Sequence, residues 1–142
     1  MISRRSFLVV LAAFLAPHAR AEAPHTPAPG SAERKAIADG MRKAVRKAFG
    51  EPDADFVFIF RTLRAQGDWA WAEAEPQRAG DEAGRFEGVT FLLRKSGSEW
   101  HVVESLPDDV ASADEPEKAM RAWLKSVAKK YPKLPKGILP AA

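Results

Sequence analysis

Glu99 and His101 are the pair whose types and spacing best fit acid/base chemistry in this sequence. Two residues apart on an extended segment, they project from one face. A carboxylate beside an imidazole can divide the proton transfers of a small hydrolase or isomerase, provided that the site is desolvated and within reach of substrate. Glu104 and Asp55 are looser candidates for the same work. An exposed Glu and His at this spacing are also common on the wet side of a sheet, and a surface ion pair is the more frequent outcome. The second constellation is Arg64, Trp69 and Trp71. An arginine stacked on indole beside a turn makes a ligand-binding platform, whereas two tryptophans on a face with phenylalanines more often serve as core. Metal and thiol chemistry have little to draw on. The chain has no Cys, and His25, in a Pro-rich stretch without a second ligand nearby in sequence, is expected to be a tail residue and a poor metal site. No Gly-rich phosphate loop, nucleophile elbow or paired-His motif is present, and no cofactor is implied.

The elements that must position these residues centre on Phe56 to Glu75, which reads as two strands folding back at Gln66-Gly67-Asp68. With an even-residue turn, Trp69 and Trp71 share a face with Phe56, Phe58, Phe60, Thr62 and Arg64, and the other face carries Val57, Ile59, Leu63, Ala70, Ala72 and Ala74. Both faces are largely apolar, so both need cover. A second hairpin, Phe86 to Lys95 with Glu99 to Ser105, turns around Ser96-Gly97. It sets Trp100 opposite Leu93, Val102 opposite Phe91 and Glu104 opposite Val89, leaving Arg94 paired with Glu99, and Thr90, Leu92, His101 and Val103, on the wetter side. Pro76 to Arg85 between the hairpins is a polar surface loop.

Helices flank the strands. Ser31 can cap a helix from Ala32 to about Phe49 that stops at Gly50, with Ile37, Met41, Ala44, Val45 and Ala48 as its apolar stripe and a solvated basic face. Asp114-Glu115-Pro116 opens a last helix, acids at the positive end of its dipole and Pro in its first turn. Met120, Trp123, Leu124, Val127 and Tyr131 lie on one side of it. From Lys118 onward there is no acidic residue. That basic helix is the candidate for weak contact with anionic lipid, although its apolar face is wanted by the core. The Pro-rich ending is an extended tail suited to strap across the sheet.

Residues 1–21 have a basic start, an apolar run from Phe7 to Ala16, a break at Pro17 and Ala19-Arg20-Ala21 as a small-x-small cleavage site, which together predict a signal peptide. The apolar run is about half the ~20 residues needed to span a bilayer. Ser3-Arg4-Arg5-Ser6-Phe7-Leu8 resembles the twin-arginine motif, departing from it at Val9 where Lys is usual, and implies export of a folded protein to the periplasm. Residues 22–31 read as a Pro-rich linker, and 32–142 as a single domain. The formal charge of +3 includes Arg4, Arg5 and Arg20; without them 19 Lys+Arg balance 19 Asp+Glu. A near-neutral domain argues against nucleic acid as a partner. The hydrophobic fraction of 46% and the charged fraction of 29% are those of a folded domain.

Ser31-Ala-Glu-Arg-Lys-Ala-Ile, Leu63-Arg-Ala-Gln-Gly-Asp-Trp-Ala, and Leu92-Leu-Arg-Lys before Trp100-His-Val-Val resemble stretches in a group of small exported proteobacterial proteins of unknown function. In that group the connection between the hairpins is longer than Pro76 to Arg85, so the resemblance implies one compact exported domain here, without any site a longer loop would build. Helix, four-stranded antiparallel meander and helix make an α+β domain, cystatin-like or NTF2-like in outline. Its expected function is that of a non-enzymatic module binding an envelope protein or cell-wall ligand over the sheet; the alternative is a small NTF2-like pocket enzyme using His101 and Glu99.

Overall fold

The computed structural model describes residues 22–141. The predicted signal peptide, with Arg4, Arg5, Ala19 and Ala21, lies outside them. Helix α1 (Ala32–Phe49) begins where Ser31 Oγ accepts from the Arg34 amide and ends at Gly50, whose φ of 65° is a left-handed conformation that glycine takes without a Cβ penalty. Four strands follow, β1 (Phe56–Gln66), β2 (Trp69–Arg78), β3 (Val89–Ser96) and β4 (Glu99–Ser105), in the antiparallel order β1-β2-β3-β4. Both tight turns are two-residue loops, Gly67-Asp68 and Gly97-Ser98, with the positive φ carried by the glycine in each. A short helix α2 (Asp108–Ala111) and α3 (Pro116–Lys130) complete the α+β domain. Among the described residues no helix is long and apolar enough to cross a membrane.

One extra residue governs the sheet. Phe60 pairs with Ala74 but Thr62 pairs with Glu73, so Arg61 is a bulge. Period-2 alternation therefore slips by one within β1. Above the bulge the expected faces hold: Thr62 and Arg64 lie with Trp69 and Trp71, and Leu63 lies with Ala70 and Ala72. Below it the expectation is reversed. Phe56, Phe58 and Phe60 join the alanine face, and Val57 and Ile59 fall on the tryptophan side, 45% and 47% exposed. The other hairpin differs in two ways. Its turn is Gly97-Ser98 rather than Ser96-Gly97, which sets Trp100 opposite Lys95 rather than Leu93, Val102 opposite Leu93 rather than Phe91, and Arg94 opposite His101 rather than Glu99. The shift is even, so Trp100 and Val102 still share a face with Phe91 and Leu93. A bulge at Val103 then puts Glu104 opposite Leu92 rather than Val89.

The two faces are covered by different helices. Ile37, Met41 and Val45 of α1 pack with Phe56, Leu63, Ala65, Ala70, Ala72, Ala74, Phe91, Leu93 and Trp100 of the sheet, all buried. The approach is close because Gly40 has no side chain: a Cβ there would sit 2.3 Å from the Trp100 carbonyl oxygen. Against α3 lie Trp69, Trp71 and Leu92 with Trp123, Leu124 and Val127, and the tail closes over them through Ile138. The side expected to be wetter is thus a second core, with Leu92 fully buried.

Two connections also differ from expectation. β2 runs through Pro76 to Arg78, since the Pro76 nitrogen faces away from β1, where β3 pairs only as far as Ala74. Residues 22–31 are docked rather than free. His25 exchanges both backbone hydrogen bonds with Ala65, at 2.9 and 2.8 Å, and Pro27 is buried.

Candidate functional site

β4 brings Glu99 and His101 to one face, as their spacing requires, but leaves them apart and wet. Glu99 Oε2 and His101 Nε2 are 3.8 Å apart, beyond hydrogen-bonding distance, with side chains 64% and 50% exposed. Glu99 is shared with Lys43 Nζ at 3.9 Å. The arrangement is a loose surface contact; nothing in it removes water from either group. Beside it, a groove of about 490 Å³ runs between α1 and the β3–β4 turn, lined by Asp39, Arg42, Arg46, Asp55, Glu99 and Trp100 among others. Its polar groups are engaged with the protein. Arg42 Nε and Arg46 Nε each donate at 2.7 Å, to the carbonyls of Phe56 and Ala54. Burial pushes the Asp39 carboxyl up, but hydrogen bonds and charges from Lys35 and Arg42 outweigh it and hold the group below its ordinary range. A carboxylate held ionised in this way is a poor general acid. Asp55 donates no catalytic geometry either; it sits 3.9 Å from Arg42 at the rim.

Arg64, Trp69 and Trp71 are brought together, but beneath a cover. Trp71 is 1% exposed, its indole N–H donating to Glu73 at 3.0 Å and its ring 5.8 Å from that of Trp123. Trp69 meets Tyr131 edge-on at 5.3 Å, and the guanidinium over its ring, 5.0 Å from the centroid, belongs to Arg94 and not to Arg64. Arg64 donates to the Gly137 carbonyl at 3.1 Å and so fastens the tail. The open platform expected from these residues is therefore closed. The same aromatic chemistry that suits a ligand has been used to seat α3 and the tail.

His25 is placed quite differently from a tail residue. Its Nε2 lies 2.7 Å from Glu33 Oε1 and its Nδ1 3.4 Å from Glu22 Oε1 and 3.2 Å from the Ala23 carbonyl. The three side chains form a cluster with metal-ligand types. The carboxylates, however, approach opposite ring nitrogens, which suits an imidazolium held between two anions better than one ion bound by all three. Burial pulls the imidazole down, but the Ala23 carbonyl, the Glu33 hydrogen bond and charge, and the Glu22 charge together hold it above its ordinary value. Sequence reasoning missed this cluster because the docking that creates it, His25 against Ala65, spans forty residues. The i,i+3 spacing of Glu22 and His25 was the one local signal.

The remaining surface is electrostatic. Residues 22–117 hold twelve Lys and Arg against nineteen Asp and Glu, and residues 118–142 hold seven against none. All seven, Lys118, Arg121, Lys125, Lys129, Lys130, Lys133 and Lys136, are exposed. Lys118 pairs with Glu115 at 3.1 Å, and Lys130 with Glu104, which also accepts from the Tyr131 hydroxyl at 2.8 Å. Burial, and then the Glu104 hydrogen bond and charge, push the Tyr131 phenol up. Among the described residues the other five cations have no acidic partner within 4 Å. Between α3 and the tail runs a groove of about 560 Å³, with Leu124, Leu139 and Pro140 along it and Lys118, Arg121 and Lys125 at its rim. Arg121 also stands over a neighbouring hollow that reaches Glu73 and Glu117. No family model, curated protein or solved structure matches this chain.

Proposed function

We propose that this protein is an exported, periplasmic, non-enzymatic module that binds an anionic phospholipid surface through α3 and the tail. The observation that carries the reading is the groove rimmed by Lys118, Arg121 and Lys125 within a stretch of seven cations and no acids. The apolar side of α3 is committed to the sheet through Trp123, Leu124 and Val127, so the helix lies on the headgroups by charge and does not insert. A patch of this kind, in which five of seven cations have no acidic partner among the described residues, concentrates counter-charge, and each Lys or Arg at an anionic bilayer contributes about 1 kcal/mol. A catalytic reading has less support, because Glu99 and His101 stay solvated and Asp39 is already paired.

Co-sedimentation with phosphatidylglycerol vesicles, beside phosphatidylcholine vesicles, tests the proposal. Binding to the first and not the second is expected, with strong loss as salt rises. Arg121→Gln/Lys125→Gln should lower partitioning roughly thirty-fold, the equivalent of two headgroup contacts. Equal affinity for both vesicles, or binding indifferent to salt, would overturn the reading.

A further inference from the structure

The outer edge of β1 is built for pairing. Its inner and outer backbone groups can be assigned from bonds at either end. The Asp55 carbonyl accepts from Ala79 on the β2 side, whereas the Phe56 carbonyl accepts from Arg42 on the outside. Alternation then turns the N–H and C=O of Phe56, Phe58 and Phe60 outward, up to the bulge at Arg61. Beyond the bulge the outward residue Ala65 is already paired with His25. Among the described residues no hydrogen bond from outside the sheet reaches Phe58 or Phe60. Sheet edges are normally protected by Lys, Pro, short length or cover. Here the run is Phe-Val-Phe-Ile-Phe, with Val57 and Ile59 among the most exposed large apolar side chains of the domain. Charge appears only at its two ends, as Asp55 and Arg61, both exposed.

We propose that a second copy of this chain adds to this edge, antiparallel, about a two-fold axis through Phe58. The argument for that occupant is complementarity of the edge with itself. In this register every outward residue meets an outward residue, Phe58 against Phe58 and Phe56 against Phe60 of the second copy. The carbonyl of Phe56 keeps one lone pair for the pairing, the other being taken by Arg42. Val57 comes opposite Ile59 of the second copy on the face that α3 leaves open, and cross-strand β-branched pairs of this kind stabilise a sheet. At both ends Asp55 stands opposite Arg61 of the other copy, so the two charges that flank the apolar run become two symmetric ion pairs. A closed two-fold contact consumes the β1 edge of each copy and stops at the dimer, an eight-stranded sheet with β4 at its two ends. The contact is short and lies below the ~1,200 Å² of a standard stable interface, so the dimer is weak, with Kd on the order of 10–100 µM. The cationic face of α3 takes no part in it, and this inference stands apart from the lipid reading.

Sedimentation equilibrium of the purified protein across that concentration range is the test. The wild type should dimerise, and Ile59→Lys, which sets like charges near the axis at an already exposed position, should be monomeric with an unchanged circular dichroism spectrum. Asp55→Arg and Arg61→Asp should each weaken the dimer roughly ten-fold by placing like charges opposite one another. An equimolar mixture of these two variants should recover the wild-type affinity as a heterodimer, because both end pairs are then restored. A wild type that stays monomeric to several times the expected Kd would overturn the proposal. So would a mixture that associates no better than its components, since a misfolded or merely sticky edge has no reason to obey the charge swap.

Discussion

The two faces of the sheet bury apolar surface by opposite means. Against α1 the strands present alanines, at 65, 70, 72 and 74, and the helix answers with Gly40, so backbone nearly touches backbone at Trp100. Against α3 they present Trp69 and Trp71, and the space is filled by Trp123, Tyr131 and the tail. The first solution has no room to spare and the second depends on bulk. Their cations differ in the same way. Arg42 and Arg46 of α1 are spent on the carbonyls of Phe56 and Ala54, which ties the helix to the start of β1. Of the lysines on α1, Lys35 and Lys43 meet Asp39 and Glu99 and, among the described residues, only Lys47 stands exposed without an acidic partner, whereas on α3 Arg121, Lys125 and Lys129 all do. Tight packing and free charge thus lie on opposite sides of the domain.

Removing bulk is the strongest way to break the contrast. Trp71→Ala should cost about 3–5 kcal/mol, the range for a large aromatic lost from a core, measured by urea unfolding. His101→Ala, exposed on the edge strand, should leave the midpoint where it was. A Trp71→Ala variant that melts with the wild type would mean that the α3 face is not a core at all.

Adding bulk should hurt only the other side. Gly40→Ala forces a methyl against the Trp100 carbonyl and should destabilise by about 1–3 kcal/mol, as overpacked sites do, although alanine favours the helix by up to ~1 kcal/mol over glycine. A stabilised variant would show that α1 sits farther from β4 than the close approach at Gly40 requires.

The smallest effect belongs to the clasp that ties residues 22–27 to the domain. His25 binds its proton more tightly when folded than when unfolded, so its contribution is complete below its ordinary pKa of ~6.5 and is lost as pH rises through the raised folded value. Because the pair with Glu33 is partly exposed, the effect is well under ~1 kcal/mol. The stability difference between wild type and His25→Gln should therefore be largest near pH 5.5–6 and shrink on the alkaline side of ~6.5. A difference that grows with pH would contradict the placement of the imidazole between Glu22 and Glu33.

The comparison also marks what could be read from the residues alone. Local signals were legible: the Ser31 cap and Gly50 stop of α1, the glycines of both turns, Pro116 at the start of α3, and the need for cover on both faces. Trp100, Val102, Phe91 and Leu93 share a buried face as the alternation required, because two registers that differ by two residues keep the same parity. What alternation could not reveal was any place where it lapses. The bulges at Arg61 and Val103 have no mark in composition, since each is set by what the flanking residues gain on opposite faces. For that reason Phe56, Phe58 and Phe60 went to the wrong face, and Glu104 too. The candidate site was less legible still. Whether Trp69 and Trp71 are platform or lining depends on Trp123 and Ile138, more than fifty residues away, and the docking of His25 depends on the free edge at Ala65.

Arg61 gives the bulge a meaning beyond its own contacts. It acts as a frameshift within a strand: with it, the phenylalanines below and the tryptophans across the turn are delivered to separate cores; without it, either set would be presented to the wrong helix. Loss or gain of a single residue there would displace five apolar side chains together, more than any one substitution in the strand could do. In a lineage of such proteins the length of β1 would accordingly drift more slowly than its spelling.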